Sequence, residues 1–415
     1  MFDYDKWQEI WATIRKNKLR TVLTMFGVFW GLFLMLLLLG SGEGLRNGVT
    51  KDFGAWATSS GFVWGRRTTM PYQGLRPGRP IRFDMNDVTA LENEVDGLHH
   101  LAPRLQLGGF GGSNNVVYRE KTAAFSIYGD TDAFHKLLLV NFDKGRGLNP
   151  LDVAERRKVA VIGSEVQRVL FQGVDPIGEY IRINGVFFKV VGVFSSKRSG
   201  RNASRDVQMI HVPLTTAQQA FNRINQVGWF GFIAKPGVSA MTVENDMMAL
   251  LRQRKRVHPD DISALGHENL EEEFNKMLGL FNGIRWFVWF VGLGTLAAGV
   301  IGVSNIMLIV VRERTREIGI RRAIGATPFS IVSLIMQEAV VITAFAGYIG
   351  LLLGIGVVEL LNLAIGDGAA MFLRPSVDLP TAIASFLILV IGGCCAGLIP
   401  AQRAASIKPI EAIQS

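Results

Sequence analysis

The chain has 415 residues, of which 49% are hydrophobic, with a mean hydropathy of +0.26 and a formal net charge of +9. The apolar excess is gathered into four uncharged windows of membrane-spanning length, which excludes an ordinary soluble protein. The positive charge lies largely in the short flanks of those windows, so it reports membrane orientation, and no nucleic-acid motif accompanies it.

Residues 1–20 form a basic, amphipathic leader with Lys6, Arg15, Lys16, Lys18 and Arg20. The first window, Thr21–Gly40, is longer than a signal-peptide core and no A-x-A site follows it, so an uncleaved anchor fits better than a cleaved signal peptide. Beyond it, Leu45, Val49, Phe53 and Trp56 fall on one helical face. The same pattern, in Leu270, Phe274, Met277, Leu278 and Phe281, leads into the second span. The two stretches, about 41–56 and 270–283, read as paired stalk extensions, with ordinary domain helices near the boundary as the alternative.

Between them, within 41–283, the pattern is mixed α/β. Lys158–Ile162 reads as a buried strand, and Ser164 reads as the cap of a helix through Phe171. Tyr180–Phe194 reads as a hairpin turning at Asn184-Gly185, a dipeptide suited to positive φ. Met209–Val212 and Trp229–Ala234 read as strands and Ala240–Arg254 as a helix. Gly108–Gly112 and Lys197–Arg205 read as loops. His99, His100, His258 and His267 read as solvated.

The second span, 284–311, has its uncharged core at Trp286–Val311. Segment 312–327 follows with Arg312, Arg314, Arg316, Arg321 and Arg322. Glu317 and Arg321 make a favourable i,i+4 pair, Gly325 is a stop, and Thr327-Pro328 offers a cap and first-turn proline for the next helix. A helical wheel puts Ile320, Ala323 and Ile324 against the bundle and Ile318 outward, as a knob for a partner's groove, with a positive-inside anchor carrying one stray isoleucine as the alternative. The third span covers 328–358, with Glu338 near its start, followed by a short external loop, 359–378. The fourth span is 379–402 and the tail 403–415. Lys/Arg bias places both termini and the arginine loop in the cytoplasm and the large domain outside.

Paired glycines at Gly27/Gly31, Gly350/Gly354 and Gly393/Gly397 allow close helix approach, within the chain or between copies. Cys394 and Cys395 read as small packing residues inside a span. No Walker A pattern, H-E-x-x-H, C-x-x-C or G-x-S-x-G occurs, so no catalytic residue, metal site or cofactor site is expected in this chain. Few charges lie at depth in the spans, which disfavours a secondary transporter driven by an ion gradient.

Asn305–Ala326 (NIMLIVVRERTREIGIRRAIGA) resembles the FtsX-like permease module of MacB-type ABC transporters. Asp175–Gly178 (DPIG), Ile183–Val193 (INGVFFKVVGV), Gln337-Glu338 and Ile399–Ile413 (IPAQRAASIKPIEAI) resemble further parts of that family, in the same order. The resemblance implies a four-span helical membrane protein with a large α/β periplasmic domain on a stalk, a porter-like part carrying an inserted second α/β part. It implies a dimer of permease subunits in the bacterial inner membrane, driven by mechanotransmission from an ABC ATPase that binds ATP and Mg²⁺. That ATPase is expected on a separate polypeptide. The coupling helix that docks on it would carry Glu313, Arg314, Arg316, Glu317, Ile318, Gly319, Arg321 and Arg322. Macrolide, peptide or lipoprotein-type substrates, a periplasmic adaptor and an outer-membrane channel are open under this resemblance. So is a regulatory role, in which an FtsX-like protein controls an extracytoplasmic enzyme.

Overall fold

The computed structural model describes residues 18–54, 59–109, 111–198, 200–365 and 372–408. Lys6, Arg15, Lys16 and Trp56 lie outside the described residues. The chain divides into two compact units, Met1–Gly48 with Gly279–Ser415, and Val49–Leu278.

The elements run α1 (Lys18–Phe53), β1 (Ser60–Gly65), β2 (Phe83–Asp84), α2 (Met85–Glu94), β3 (Leu98–Gln106), β4 (Asn114–Tyr118), β5 (Lys121–Asp130), α3 (Ala133–Leu137) and β6 (Val140–Gly145). Then come α4 (Pro150–Ala154), β7 (Val159–Gly163), α5 (Ser164–Phe171), β8 (Tyr180–Ile183), β9 (Val186–Ser196), α6 (Gly200–Asp206), β10 (Met209–Pro213) and α7 (Leu214–Ala220). The chain continues through β11 (Gln226–Val227), β12 (Trp229–Ala234), α8 (Ala240–Arg254), β13 (Leu265–Asn269), α9 (Leu270–Glu313), α10 (Thr315–Ala323), α11 (Pro328–Ile365) and α12 (Leu379–Ala405).

In the outer unit, β3, β12, β1 and β13 form an antiparallel sheet in that order. Alternation sends Val63, Phe230 and Phe232 to one face, where Leu91 of α2 and Val243, Met247 and Leu251 of α8 bury them. The chain order β1-α2-β3…β12-α8-β13 with this strand order is a ferredoxin-like split βαβ unit. Asp84 caps α2, accepting from the backbone N–H groups of Asn86 and Asp87, while Asp87 accepts in return from the N–H of Asp84.

The segment between β3 and β12 is a second lobe. Strand β5 pairs with β10 in parallel, β10 with β7, β7 with β9, β9 with β8, β8 with β4, and β4 again with β5. The path closes, so these six strands form a small barrel. Val116, Ile127, Ile162, Ile181, Phe188, Val190 and Ile210 fill it, together with Leu170 and Phe171 of α5. The expected hairpin turns at Asn184 (φ 43°) and Gly185 (φ 91°), both in the left-handed region. Two expectations change: residues 200–206, read as loop, form α6, where Ser196 donates to Asp206 at 2.8 Å, and Ser164 is the first residue of α5 behind Gly163 and not its cap.

In the other unit, α1, α9, α11 and α12 are each long and apolar enough to cross a membrane. Small residues set their approach. A Cβ on Gly350 would meet the Phe29 carbonyl at 2.9 Å, and one on Gly354 the Leu36 side chain at 3.2 Å, so this pair seats α11 on α1. Gly393 and Gly397 seat α12 on Thr343 and Ala339 of α11. Gly31 faces the Thr295 backbone of α9, whereas Gly27 has open space where its side chain would be. Two of the three glycine pairs thus serve packing within the chain.

Candidate coupling surface

Helix α9 ends at Glu313. Arg314 adopts φ −101°, ψ 15°, which breaks the helix for one residue before α10 begins at Thr315. The Thr315 hydroxyl donates to the Arg312 carbonyl at 2.8 Å and so occupies one of the acceptors left at the end of α9. At the other end Gly325 takes φ 102°, and the N–H of Ala326 returns to the Arg321 carbonyl at 3.0 Å. Thr327 Oγ1 then accepts from the N–H of Ser330 and starts α11 behind Pro328. The punctuation expected from the sequence is all present.

The facing of α10 is not the one the wheel suggested. Ile318 and Gly319 are buried, and Ile318 belongs to the core of the membrane unit with Val311, Ile331 and Ile335. Ile320 is 44% exposed and Ile324 82% exposed. The inward positions are Val311, Arg314, Thr315, Ile318, Gly319 and Arg322, a run spaced three and four apart. The end of α9 fixes this phase, and the residues of α10 taken alone do not reveal it. Ile318 is therefore a packing anchor, and the apolar knobs on the outer face are Ile320, Ile324 and, just beyond, Phe329.

Among the other expected coupling residues, Glu313, Arg316 and Glu317 are exposed and Arg314, Arg321 and Arg322 half-buried. The Glu317–Arg321 pair forms at 2.9 Å. Arg322 donates from Nη1 to the Ala405 carbonyl at 2.9 Å and also to that of Ile407, which pins α10 to the end of α12. Arg314 approaches the buried carboxylate of Glu338 at 3.7 Å. A cleft of about 620 Å³ lies beside this pair, between α9, α10 and the first turns of α11.

The stalk positions fall on continuous helices. Leu45, Val49 and Phe53 are in α1, and Leu270, Phe274, Leu278 and Phe281 are in α9, which runs 44 residues without interruption. Asn269, the last residue of β13, accepts through Oδ1 from the N–H of Glu272 and caps α9. Leu270 and Phe281 are buried; the side chain of Phe53 lies outside the described residues. Among the described residues no cluster of His, Cys, Asp and Glu fit for a metal ion occurs.

Four apolar helices, a short helix bearing arginines between the second and third, and a split βαβ outer unit with an inserted lobe define a four-span membrane protein with a large extramembrane domain. Residues 21–250 match the MacB-like periplasmic core domain and residues 289–409 the FtsX-like permease C-terminal domain, and the chain belongs to this MacB-like, FtsX-like permease family. It is 30% identical over 411 residues to a macrolide export ATP-binding/permease protein MacB from Chlorobium phaeobacteroides, covering 98% of this chain and 60% of that protein. A pyoverdine export ATP-binding/permease protein PvdT from Pseudomonas entomophila is 29% identical over 415 residues, with 98% and 59% covered. The chain thus spans about 60% of the length of the curated relatives it matches. The periplasmic region of MacB from Actinobacillus actinomycetemcomitans aligns over 55% of this chain and 95% of that one, with 15% identity and a TM-score of 0.43.

Proposed function

We propose that this chain is the permease part of an ATP-driven export complex and that it passes ATPase movements across the inner membrane to its outer unit. The observation that carries this reading is α9: one helix leads from the capped end of β13 to the coupling helix. In this reading both termini and α10 face the cytoplasm, and an ABC ATPase grips Arg316, Glu317 and Ile320. ATP and Mg²⁺ belong to that subunit. The extensions of α1 and α9 act as a paired stalk.

A second permease subunit completes the complex. Asn305 is exposed in the last third of α9, within its apolar run and on the side where Gly294 and Gly302 have open space, and a polar side chain facing lipid is costly. A second copy would cover it. The names of the relatives favour an amphiphilic or peptide-like cargo of the macrolide or pyoverdine kind, delivered on the periplasmic side, with an adaptor and outer-membrane channel as further partners. Co-purification of the ATPase with the wild-type chain, and its loss with Ile320→Asp, tests the reading; retention by Ile320→Asp and by Glu317→Lys contradicts it.

A further inference from the structure

The barrel is attached to the split βαβ lobe by few backbone bonds. Strand β3 pairs with β12 from Leu98 to Arg104, then with β5 over a short stretch, Leu105–Gly129 and Gln106–Tyr128, ending on the bond from the N–H of Leu107 to the Ile127 carbonyl at 3.0 Å. So short a pairing is marginal by itself. At the residue where β3 changes partners stands Arg104. Its guanidinium lies between the rings of Tyr128 and Phe134, 3.7 Å from each centroid. Its Nε is 2.8 Å from Asp130 Oδ1, an ion pair without a well-directed hydrogen bond. The second oxygen of Asp130 accepts from Nδ1 of His211 at 2.6 Å.

Arg104, Asp130 and His211 are all buried. Arg104 comes from the sheet of the βαβ lobe, Asp130 and His211 from barrel strands β5 and β10, and Phe134 from α3, which packs on Ala102 of β3. Other buried carboxylates, Asp87, Asp152, Glu244 and Asp261 among them, lie within one lobe or the other, whereas this group draws its members from both. A buried ion pair adds little net stability over apolar packing of the same volume. It does fix geometry, because a stacked and paired guanidinium has one register, whereas apolar surfaces can slide.

We propose that Arg104, Asp130 and His211 form a clasp that makes the βαβ lobe and the inserted barrel move as one body. A displacement arriving at β13 would then reach the barrel undiminished. This consequence deepens the coupling reading, while the clasp itself is a property of the outer unit and is measured without any ATPase.

The full-length protein in nanodiscs, with Cys394 and Cys395 replaced by alanine, would carry spin labels at Gln253 on α8 and Glu120 in the β4–β5 turn. The wild type should give one narrow distance distribution. Asp130→Asn should widen it about twofold or more. So should the double variant Arg104→Met/Asp130→Asn, which leaves no orphan charge and so keeps the lobes folded. Hydrogen exchange supplies the second readout. Amides at 105–107 and 128–130 should exchange at least about tenfold faster in the double variant, while those of β7 and α8 keep wild-type protection. Unchanged distance widths overturn the clasp. So does uniform loss of protection in both lobes, which would make the cluster a general folding element.

Discussion

Arg322 reaches from α10 to the backbone of Ala405, the last residue of α12, Nη1 to carbonyl oxygen at 2.9 Å. Its second acceptor is the carbonyl of Ile407. One planar side chain thus occupies two carbonyls at and just beyond the end of α12, where helix carbonyls have no intrahelical donor. Arg322→Met keeps much of the side-chain volume but removes the donor. It should raise amide exchange across 316–323 roughly fivefold, equivalent to about 1 kcal/mol. Exchange equal to wild type would show that the pin is idle.

The reversed facing of α10 separates two isoleucines that look alike in sequence. Ile318→Asp puts a carboxylate into the bundle core and should destabilise the membrane unit by about 3 kcal/mol or more. Ile320→Asp lies on the exposed face and should stay within about 0.5 kcal/mol of wild type. Thermal unfolding in detergent checks both; equal destabilisation would contradict an inward Ile318 and an outward Ile320.

Glycine contacts in the bundle predict a steep size dependence. At Gly350 an added Cβ meets a backbone carbonyl, which cannot swing away. Gly350→Leu should therefore cost about 3 kcal/mol or more, as overpacking between α11 and α1. Gly27→Ala has open space and should be neutral or slightly stabilising, since alanine has the better helix propensity. Melting temperatures of the two variants should differ in that order.

Acid should loosen the outer unit. Burial lowers the pKa of His135 from 6.5 to about 3, with the positive charge of Arg104 acting in the same direction and Asp130 against it. His211 is likewise held low by burial. Below pH 6.5 the unfolded chain takes up protons that the folded junction refuses, so stability falls as pH drops from about 6.5 towards 3. The slope is at most about 1.4 kcal/mol per pH unit for each histidine. Asp206 and Glu244, whose pKa values burial raises, bind protons better when folded and offset part of this loss near their own titration. His135→Leu should flatten the pH dependence of outer-unit unfolding, followed by hydrogen exchange between pH 7 and 5.

The membrane helices and the punctuation around α10 were legible because they depend on local composition: uncharged runs, Gly325, Thr327-Pro328. The Asn184-Gly185 turn was legible for the same reason. Barrel closure was not, because β5 and β10 pair Ser126 with Met209 across more than eighty intervening residues and no local pattern announces it. The inward side of α10 was hidden because its own residues place isoleucines on both faces, Ile318 on one and Ile320 and Ile324 on the other, and only continuation of the run from Val311 distinguishes them. Arg104, Asp130 and His211 are far apart in the chain, and the one sequence signal was His211 itself, a histidine inside the apolar run Met209–Val212.

The central claim is that movement imposed on the coupling helix appears in the outer unit. Spin labels at Gln253 of two permease copies, reconstituted in nanodiscs with the cognate ATPase, measure it directly. The distance between labels should shift when ATP and Mg²⁺ replace ADP, and the shift should vanish in Ile320→Asp. A wild-type distance indifferent to nucleotide, or a shift that survives in Ile320→Asp with Glu317→Lys, would contradict the account.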